Sequence, residues 1–103
     1  MKKILLIGSS GFLGTNVFDK VNPNNEVHVI KGKADCDVSN LDEFRTHIDN
    51  LDFDYIINCA AFVGGIAYGY KYPADMLSIN SKISNNVYQI AKERSTKLLI
   101  NPI

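Results

Sequence analysis

Residues Gly8-Ser9-Ser10-Gly11-Phe12-Leu13-Gly14 follow directly on the apolar run Ile4-Leu5-Leu6-Ile7, and they limit the fold more than composition does. The apolar run reads as a buried strand. The stretch after it, with Phe12, Leu13, Val17, Phe18 and Val21 on one side, reads as an amphipathic helix. A strand that passes into a helix through a glycine-punctuated turn is how α/β proteins hold a dinucleotide pyrophosphate. In that reading each glycine has its own task. Gly8 permits the tight turn off the strand, Gly11 lets backbone approach the phosphates, and Gly14 lets the helix pack closely on the sheet. The spacing is G-x-x-G-x-x-G in place of G-x-G-x-x-G.

The rest of the chain alternates in the same way. Strand one is Lys3–Ile7, and a helix over Phe12–Val21 ends at the turn formers Asn22-Pro23-Asn24-Asn25. Strand two is Glu26–Ile30. A short third strand is expected over Asp35–Val38, after the corner Lys31-Gly32-Lys33. Ser39 or Asn40 can cap a helix over Leu41–Asn50, with Asp42 and Glu43 well placed in its first turn. Strand four is Tyr55–Cys59. After a glycine-rich loop from Ala60 to Tyr72, Pro73 suits the first turn of the longest helix, Ala74–Arg94. Its apolar stripe is Met76, Ile79, Ile83, Val87 and Ile90. Strand five is Lys97–Ile100. Such alternation implies right-handed crossovers and a doubly wound parallel sheet of Rossmann type, ordered 3-2-1-4-5. Asn101-Pro102-Ile103 leaves that last strand without a covering helix, so the sequence reads as one incomplete domain, residues 1–103, of a longer chain.

Composition narrows the partners. The 103 residues carry zero net charge at pH 7, which gives no electrostatic footprint for nucleic acid or an anionic membrane. No apolar stretch approaches the roughly 18 residues needed to span a bilayer. The apolar part of the amino terminus is too short for a signal peptide and runs straight into the glycine turn. Two cysteines, Cys36 and Cys59, suggest reduced thiols and a cytoplasmic setting. Cys59 is expected to be packed and inert, and His28 and His47 lack a second ligand at metal spacing, so no metal site is expected. Asp52 and Asp54 precede a buried strand and read as turn residues.

Three segments are expected to converge on the crevice at the carboxyl ends of strands one and four. The first is the glycine turn, Gly8, Ser10, Gly11, Phe12, Leu13 and Gly14, with its amides and helix start facing the phosphates. The second is the corner after strand two. Asp or Glu there holds a ribose 2′-hydroxyl, whereas a basic residue accommodates a 2′-phosphate. Lys31 and Lys33 therefore favour NADP, with NAD as the alternative, and Asp37 and Val38 could flank the adenine. The third is Asn58-Cys59-Ala60-Ala61, whose small residues suit a cofactor lying against the backbone. The loop beyond it is long enough to touch a ligand or act as a lid, or to be a tyrosine-rich surface connection.

At Ala60-Ala61-Phe62-Val63-Gly64-Gly65-Ile66 and Tyr72-Pro73-Ala74-Asp75, followed by Asn80 and Asn86 and then Lys97-Leu98-Leu99, the sequence closely resembles the GDP-L-fucose synthase family. These are extended short-chain dehydrogenase/reductases, that is, NAD-dependent epimerase/dehydratases. The resemblance covers essentially the whole chain. It implies NADPH as cofactor and a 4-keto-6-deoxy nucleotide sugar as substrate, epimerised through an enediol(ate) and then reduced by hydride transfer. By position, Gly8, Gly11 and Gly14 match the family's pyrophosphate turn, and Lys33 its basic residue for the 2′-phosphate. Asp37, Val38, Ala60 and Ala61 match contacts to adenine and ribose. Val63 and Gly64 would border the reaction site, and Asn80 belongs to the matched helix. Two positions depart from the pattern: Ser10 stands where an arginine is common, and Gly69-Tyr70-Lys71 replaces an Asn-Asn-Thr-like stretch.

By alignment the family's catalytic serine, its Tyr-x-x-x-Lys pair and its acid/base cysteine and histidine fall past Ile103, so no catalytic residue is assigned. The resulting expectation is an NADP-dependent epimerase/reductase seen as its cofactor-binding part, inactive alone. The alternatives are a sister epimerase or dehydratase, a non-catalytic NAD(P)-binding or redox-sensing module, and an interaction domain that pairs through its last strand. The longest helix sits where the family dimerises, so its stripe could serve a homodimer or, equally, the ordinary core.

Overall fold

The computed structural model describes residues 1–60 and 73–101. The elements in chain order are β1 (Lys3–Ile7), α1 (Phe12–Val21), a 3₁₀ turn (Asn22–Asn24), β2 (Glu26–Ile30), α2 (Leu41–Ile48), β3 (Tyr55–Asn58), α3 (Pro73–Glu93) and β4 (Leu98–Ile100). Every pairing is parallel and the sheet order is β2-β1-β3-β4. The predicted order holds for the four strands present.

One predicted strand is not there. Residues Asp35–Val38 form turns, because their polar groups find local partners that a strand would have to give up. The amides of Asp35 and Cys36 both donate to the Gly32 carbonyl, at 3.0 and 3.1 Å. The Asp37 carboxylate accepts from both the amide and the hydroxyl of Ser39. Aspartate side chains compete with a ladder in this way, and two of these four residues are aspartates. The sheet is therefore one strand narrower at this edge than the alternation implied.

Alternation along β1 sorts the core into two faces. Leu5 and Ile7 join Ile30, Ile56, Phe44 and Ile48 of α2, and Ile83, Val87 and Ile90 of α3, in one buried cluster. Ile4 and Leu6, equally buried, point to the other face, where α1 packs on β1. The stripe of α3 is thus core over Ile83, Val87 and Ile90, with Ile79 packed at its margin; the Met76 side chain lies outside the described residues. Asn40 caps α2, its side chain accepting from the Glu43 amide at 3.1 Å, and Glu43 reaches back to the Asp37 amide at 2.6 Å. Among the described residues no helix is long and apolar enough to cross a membrane.

Two ties join α2 to α3. Arg45 forks onto the Glu93 carboxylate at 3.0 and 2.6 Å, and Gln89 adds a third bond at 2.9 Å. Chiefly through the Arg45 bonds, and next through Gln89, the Glu93 carboxyl is held down at about 2 against an ordinary 4.5. A carboxyl lowered in the folded state stabilises above its unfolded value and loses that contribution as pH falls through its folded value. Urea midpoints of the wild type and of Arg45→Ala should therefore differ at pH 7 and converge between pH 4.5 and 2. The exposure of the pair keeps the difference small.

Candidate functional site

At the carboxyl ends of β1, β2 and β3 the described residues line an open cavity of about 410 Å³. Gly8, Ser10 and Gly11 form one side, Lys31, Gly32 and Lys33 a second, and Asp37 and Val38 a third. Ile7, Ile30, Cys59 and Ala60 line it at the strand ends, and Ile79 and Ile83 line it from α3. A cavity of this size with an apolar base and a few polar groups at the rim is the usual form of a cofactor site.

The turn off β1 is built by close approach. Gly8 has a φ of +82°, and a Cβ on it would stand 2.7 Å from the Ala60 nitrogen. A Cβ on Gly14 would stand 1.9 Å from the Gly8 carbonyl oxygen, so the helix seats directly on the turn. Gly11 differs: the nearest atom to its would-be Cβ is that same oxygen at 3.8 Å. Nothing in the described structure needs Gly11 to lack a side chain.

The turn's own amides do not all face the cavity, contrary to the expectation from the motif. Gly8 and Ser9 donate to the Ile30 carbonyl, at 2.7 and 3.3 Å, and Ser10 donates to the Lys31 carbonyl at 3.1 Å. Three amides thus stitch the turn to the end of β2. The donors left over belong to the helix start. The first helical bond runs from Thr15 to Gly11, so the amides of Phe12, Leu13 and Gly14 have no partner within the helix. Gly11 caps without a side-chain bond, and no acidic residue occupies the first turn. That end of α1 carries a partial positive charge aimed at the rim. The side chains of Phe12 and Leu13 are exposed, and neither residue lines the cavity.

Of the residues singled out from sequence, Gly8, Ser10, Gly11, Lys31, Lys33, Asp37, Val38 and Ala60 are brought together around the cavity. Gly14 supports it from beneath. Asn80, on α3, does not line it. Ala61 and Val63, and with them the Val63-Gly64-Gly65-Ile66 loop up to Tyr72, lie outside the described residues. Cys36, Ser39, Ile79 and Ile83 line the cavity without having been singled out for it. For the two isoleucines the signal was their i, i+4 spacing at the start of α3. Cys36 was hidden within a segment read as strand.

Both thiols stay protonated at neutral pH. Burial, with help from Glu43, Asp35 and Asp37, pushes Cys36 up to about 11, and burial also raises Cys59. Neither is an activated nucleophile. Among the described residues no group of three or more His, Cys, Asp or Glu is placed to hold a metal ion. One Tyr-x-x-x-Lys spacing does occur in the chain, at Tyr88 and Lys92. Both residues lie on the far half of α3, are exposed and do not line the cavity, so the pattern here is a helix-surface coincidence.

Comparison with known proteins agrees with this fold. The NAD dependent epimerase/dehydratase family model matches residues 4–102. GDP-L-fucose synthase of Dictyostelium discoideum is 27% identical over 95 residues, covering 89% of this chain and 30% of that protein. A probable GDP-L-fucose synthase of Drosophila melanogaster is 31% identical over 97 residues, covering 91% of this chain and 30% of that protein. The chain therefore spans under a third of the length of these relatives. Among solved structures, dTDP-4-dehydrorhamnose reductase from Bacillus anthracis in complex with NADP matches with a TM-score of 0.81 at 21% identity, covering 95% of this chain and 35% of that one. A GDP-L-fucose synthetase from Naegleria fowleri bound to NADP matches at 0.75 and 22% identity, covering 96% of this chain and 29% of that one. The two structures share the Rossmann-type fold of this chain.

Proposed function

The chain belongs to the NAD dependent epimerase/dehydratase family, and from that premise we propose that it is the NADP-binding part of an enzyme that epimerises and reduces a nucleotide sugar. The reaction envisaged is of the kind that converts GDP-4-keto-6-deoxymannose to GDP-L-fucose. The observation that carries the reading is one cavity lined both by Gly11, at the start of α1 that no side chain caps, and by Lys31 and Lys33. The residues present fit a phosphorylated dinucleotide. The amides of Phe12 and Leu13 would hold the pyrophosphate across Gly11, and Lys31 and Lys33 would meet the 2′-phosphate. Asp37 and Val38 would border the adenine, with Ala60, Ala61 and Val63 continuing along the ribose and nicotinamide side. When bound, the cofactor supplies the hydride.

On this reading the 103 residues hold the cofactor but turn over no sugar nucleotide by themselves. The proton that accompanies hydride transfer would be supplied by a group beyond the described lining of the cavity, which Tyr88 and Lys92 do not join. The nucleotide-sugar substrate and a cytoplasmic setting belong to the same proposal, as does a homodimer, which would have to use the exposed face of α3 because Ile83, Val87 and Ile90 are core. The B. anthracis match favours a second substrate choice, a sister enzyme acting on another 4-keto sugar nucleotide.

Titration of the chain with NADPH and NADH, followed by nicotinamide fluorescence, tests the reading. Saturable binding of NADPH is expected, and saturation by neither nucleotide would falsify it. Gly11 gives a sharper form of the test. A methyl at Gly11 meets no described atom closer than 3.8 Å, so Gly11→Ala should fold like the wild type. The same methyl stands where the pyrophosphate must approach, so NADPH affinity should fall by about tenfold, the scale of one methyl forced into a packed contact.

A further inference from the structure

We propose that Ser10 and Asp35 are positioning residues that hold the Lys31–Lys33 corner for a 2′-phosphate and so set a preference for NADPH over NADH; this rests on the dinucleotide reading above. The observation is a peptide unit clamped from both sides. The Lys31 amide donates to Asp35 Oδ2 at 3.1 Å. The Lys31 carbonyl accepts from the Ser10 amide at 3.1 Å and from the Ser10 hydroxyl at 2.6 Å. Immediately after it, the Gly32 carbonyl accepts from the amides of Asp35 and Cys36, which closes the turn that carries Lys33.

The clamp matters because of what a lysine is. Its ammonium is a point charge on a flexible stem, with none of the fork geometry that lets arginine orient a phosphate by itself. Lys31 and Lys33 are both exposed, so the backbone beneath them decides where their charge is presented. Ser10 stands on the glycine turn while its partner stands at the end of β2. Its hydroxyl bond therefore ties the pyrophosphate end of the cavity to the 2′ end. A Cβ added at Gly32 would lie 3.5 Å from the Ser10 hydroxyl oxygen, so that hydroxyl stands close beside the corner. Asp35 completes the clamp from outside the cavity, its carboxylate oxygen directed at the Lys31 amide. In place of a long cationic side chain at position 10, the chain has a short tether that aims the lysines of the neighbouring corner.

The test is a pair of titrations, NADPH and NADH, on the wild-type chain and on Ser10→Ala, Ser10→Thr, Asp35→Ala and Asp35→Asn. Ser10→Ala and Asp35→Ala should each lower the ratio of NADPH to NADH affinity by about three- to tenfold, the range expected for one lost hydrogen bond. The loss should fall on NADPH. Ser10→Thr keeps the hydroxyl, and Asp35→Asn keeps an accepting oxygen while removing a negative charge. Both should restore the ratio, the second to the wild-type level or above it. A wild-type ratio in both alanine variants overturns the proposal. So does an equal loss for both nucleotides, which would mark the clamp as general support for the turn, and so does a failure of the conservative variants to restore the ratio. A wild type that prefers NADH overturns it too while leaving the dinucleotide reading in place. Saturation of the wild type by neither nucleotide removes that reading itself.

Discussion

Gly14→Ala should unfold the amino-terminal turn and destabilise the chain by about 3 kcal/mol or more, the upper range for overpacking a rigid contact. The added methyl would lie 1.9 Å from the Gly8 carbonyl oxygen and 2.8 and 2.9 Å from the Gly8 carbonyl carbon and Ser9 Cα. All three are backbone atoms, so no side chain can rotate away. Relief requires α1 to lift off β1, and that movement strains the bonds from Gly8, Ser9 and Ser10 to the end of β2. A domain of this length has about 5–15 kcal/mol in total, so the loss is a large fraction of it. The check is urea unfolding followed by circular dichroism, with Gly11→Ala as the control. Both variants add one methyl to a glycine of the same turn, yet only Gly14 meets backbone. Equal midpoints for the two would refute the assignment of Gly14 to packing and Gly11 to ligand approach.

That contrast also marks how far the sequence could be read. The periodicity of Ile4–Ile7 and the glycine spacing were enough to place β1, the turn and α1, because buried strands and close helix seats leave strong local signatures. The α3 stripe was equally plain, with Ile83, Val87 and Ile90 three or four residues apart and all buried. Asp35–Val38 failed for a physical reason. Cys36 and Val38 alternate as a strand would, and they are buried, but Asp35 and Asp37 beside them satisfy turns instead of a ladder. Alternation reports which residues are buried and not which hydrogen bonds form. The site was half legible in the same sense. Which residues surround the cavity followed from the motif, whereas the direction of the turn's amides did not. The bonds of Gly8, Ser9 and Ser10 to Ile30 and Lys31 join segments some twenty residues apart, and no local pattern encodes them.

Arg94→Ala should destabilise the chain by about 3 kcal/mol through a different route, the loss of a cap that one helix provides for another. Arg94 follows the end of α3, and its guanidinium donates to the carbonyls of Ile48, at 3.1 Å, and Leu51, while lying 4.4 Å from the centre of the Phe53 ring. The Ile48 carbonyl ends α2, where it also accepts from the Leu51 amide at 3.0 Å, and the Leu51 carbonyl lies in the connection into β3. Hydrogen bonds from a charged donor contribute about 1.5–3 kcal/mol each, and the ring contact adds about 0.5–1 kcal/mol, though bonds sharing one side chain do not sum fully. The melting temperature should drop by more than about 10 °C for a chain of this size. Arg94→Met separates the causes, because it keeps most of the stem over Phe53 and removes every donor. If packing on Phe53 is what matters, Arg94→Met will behave as wild type. If the two carbonyls matter, it will fall close to Arg94→Ala, and Arg94→Lys, which can reach only one of them, will lie between. None of Ile48, Leu51, Phe53 and Arg94 lines the cavity, so the same variants should leave the ratio of NADPH to NADH affinity unchanged at temperatures where they remain folded. A change in that ratio would mean that α2 and β3 transmit strain to the Lys31 corner, against the local origin assigned to it.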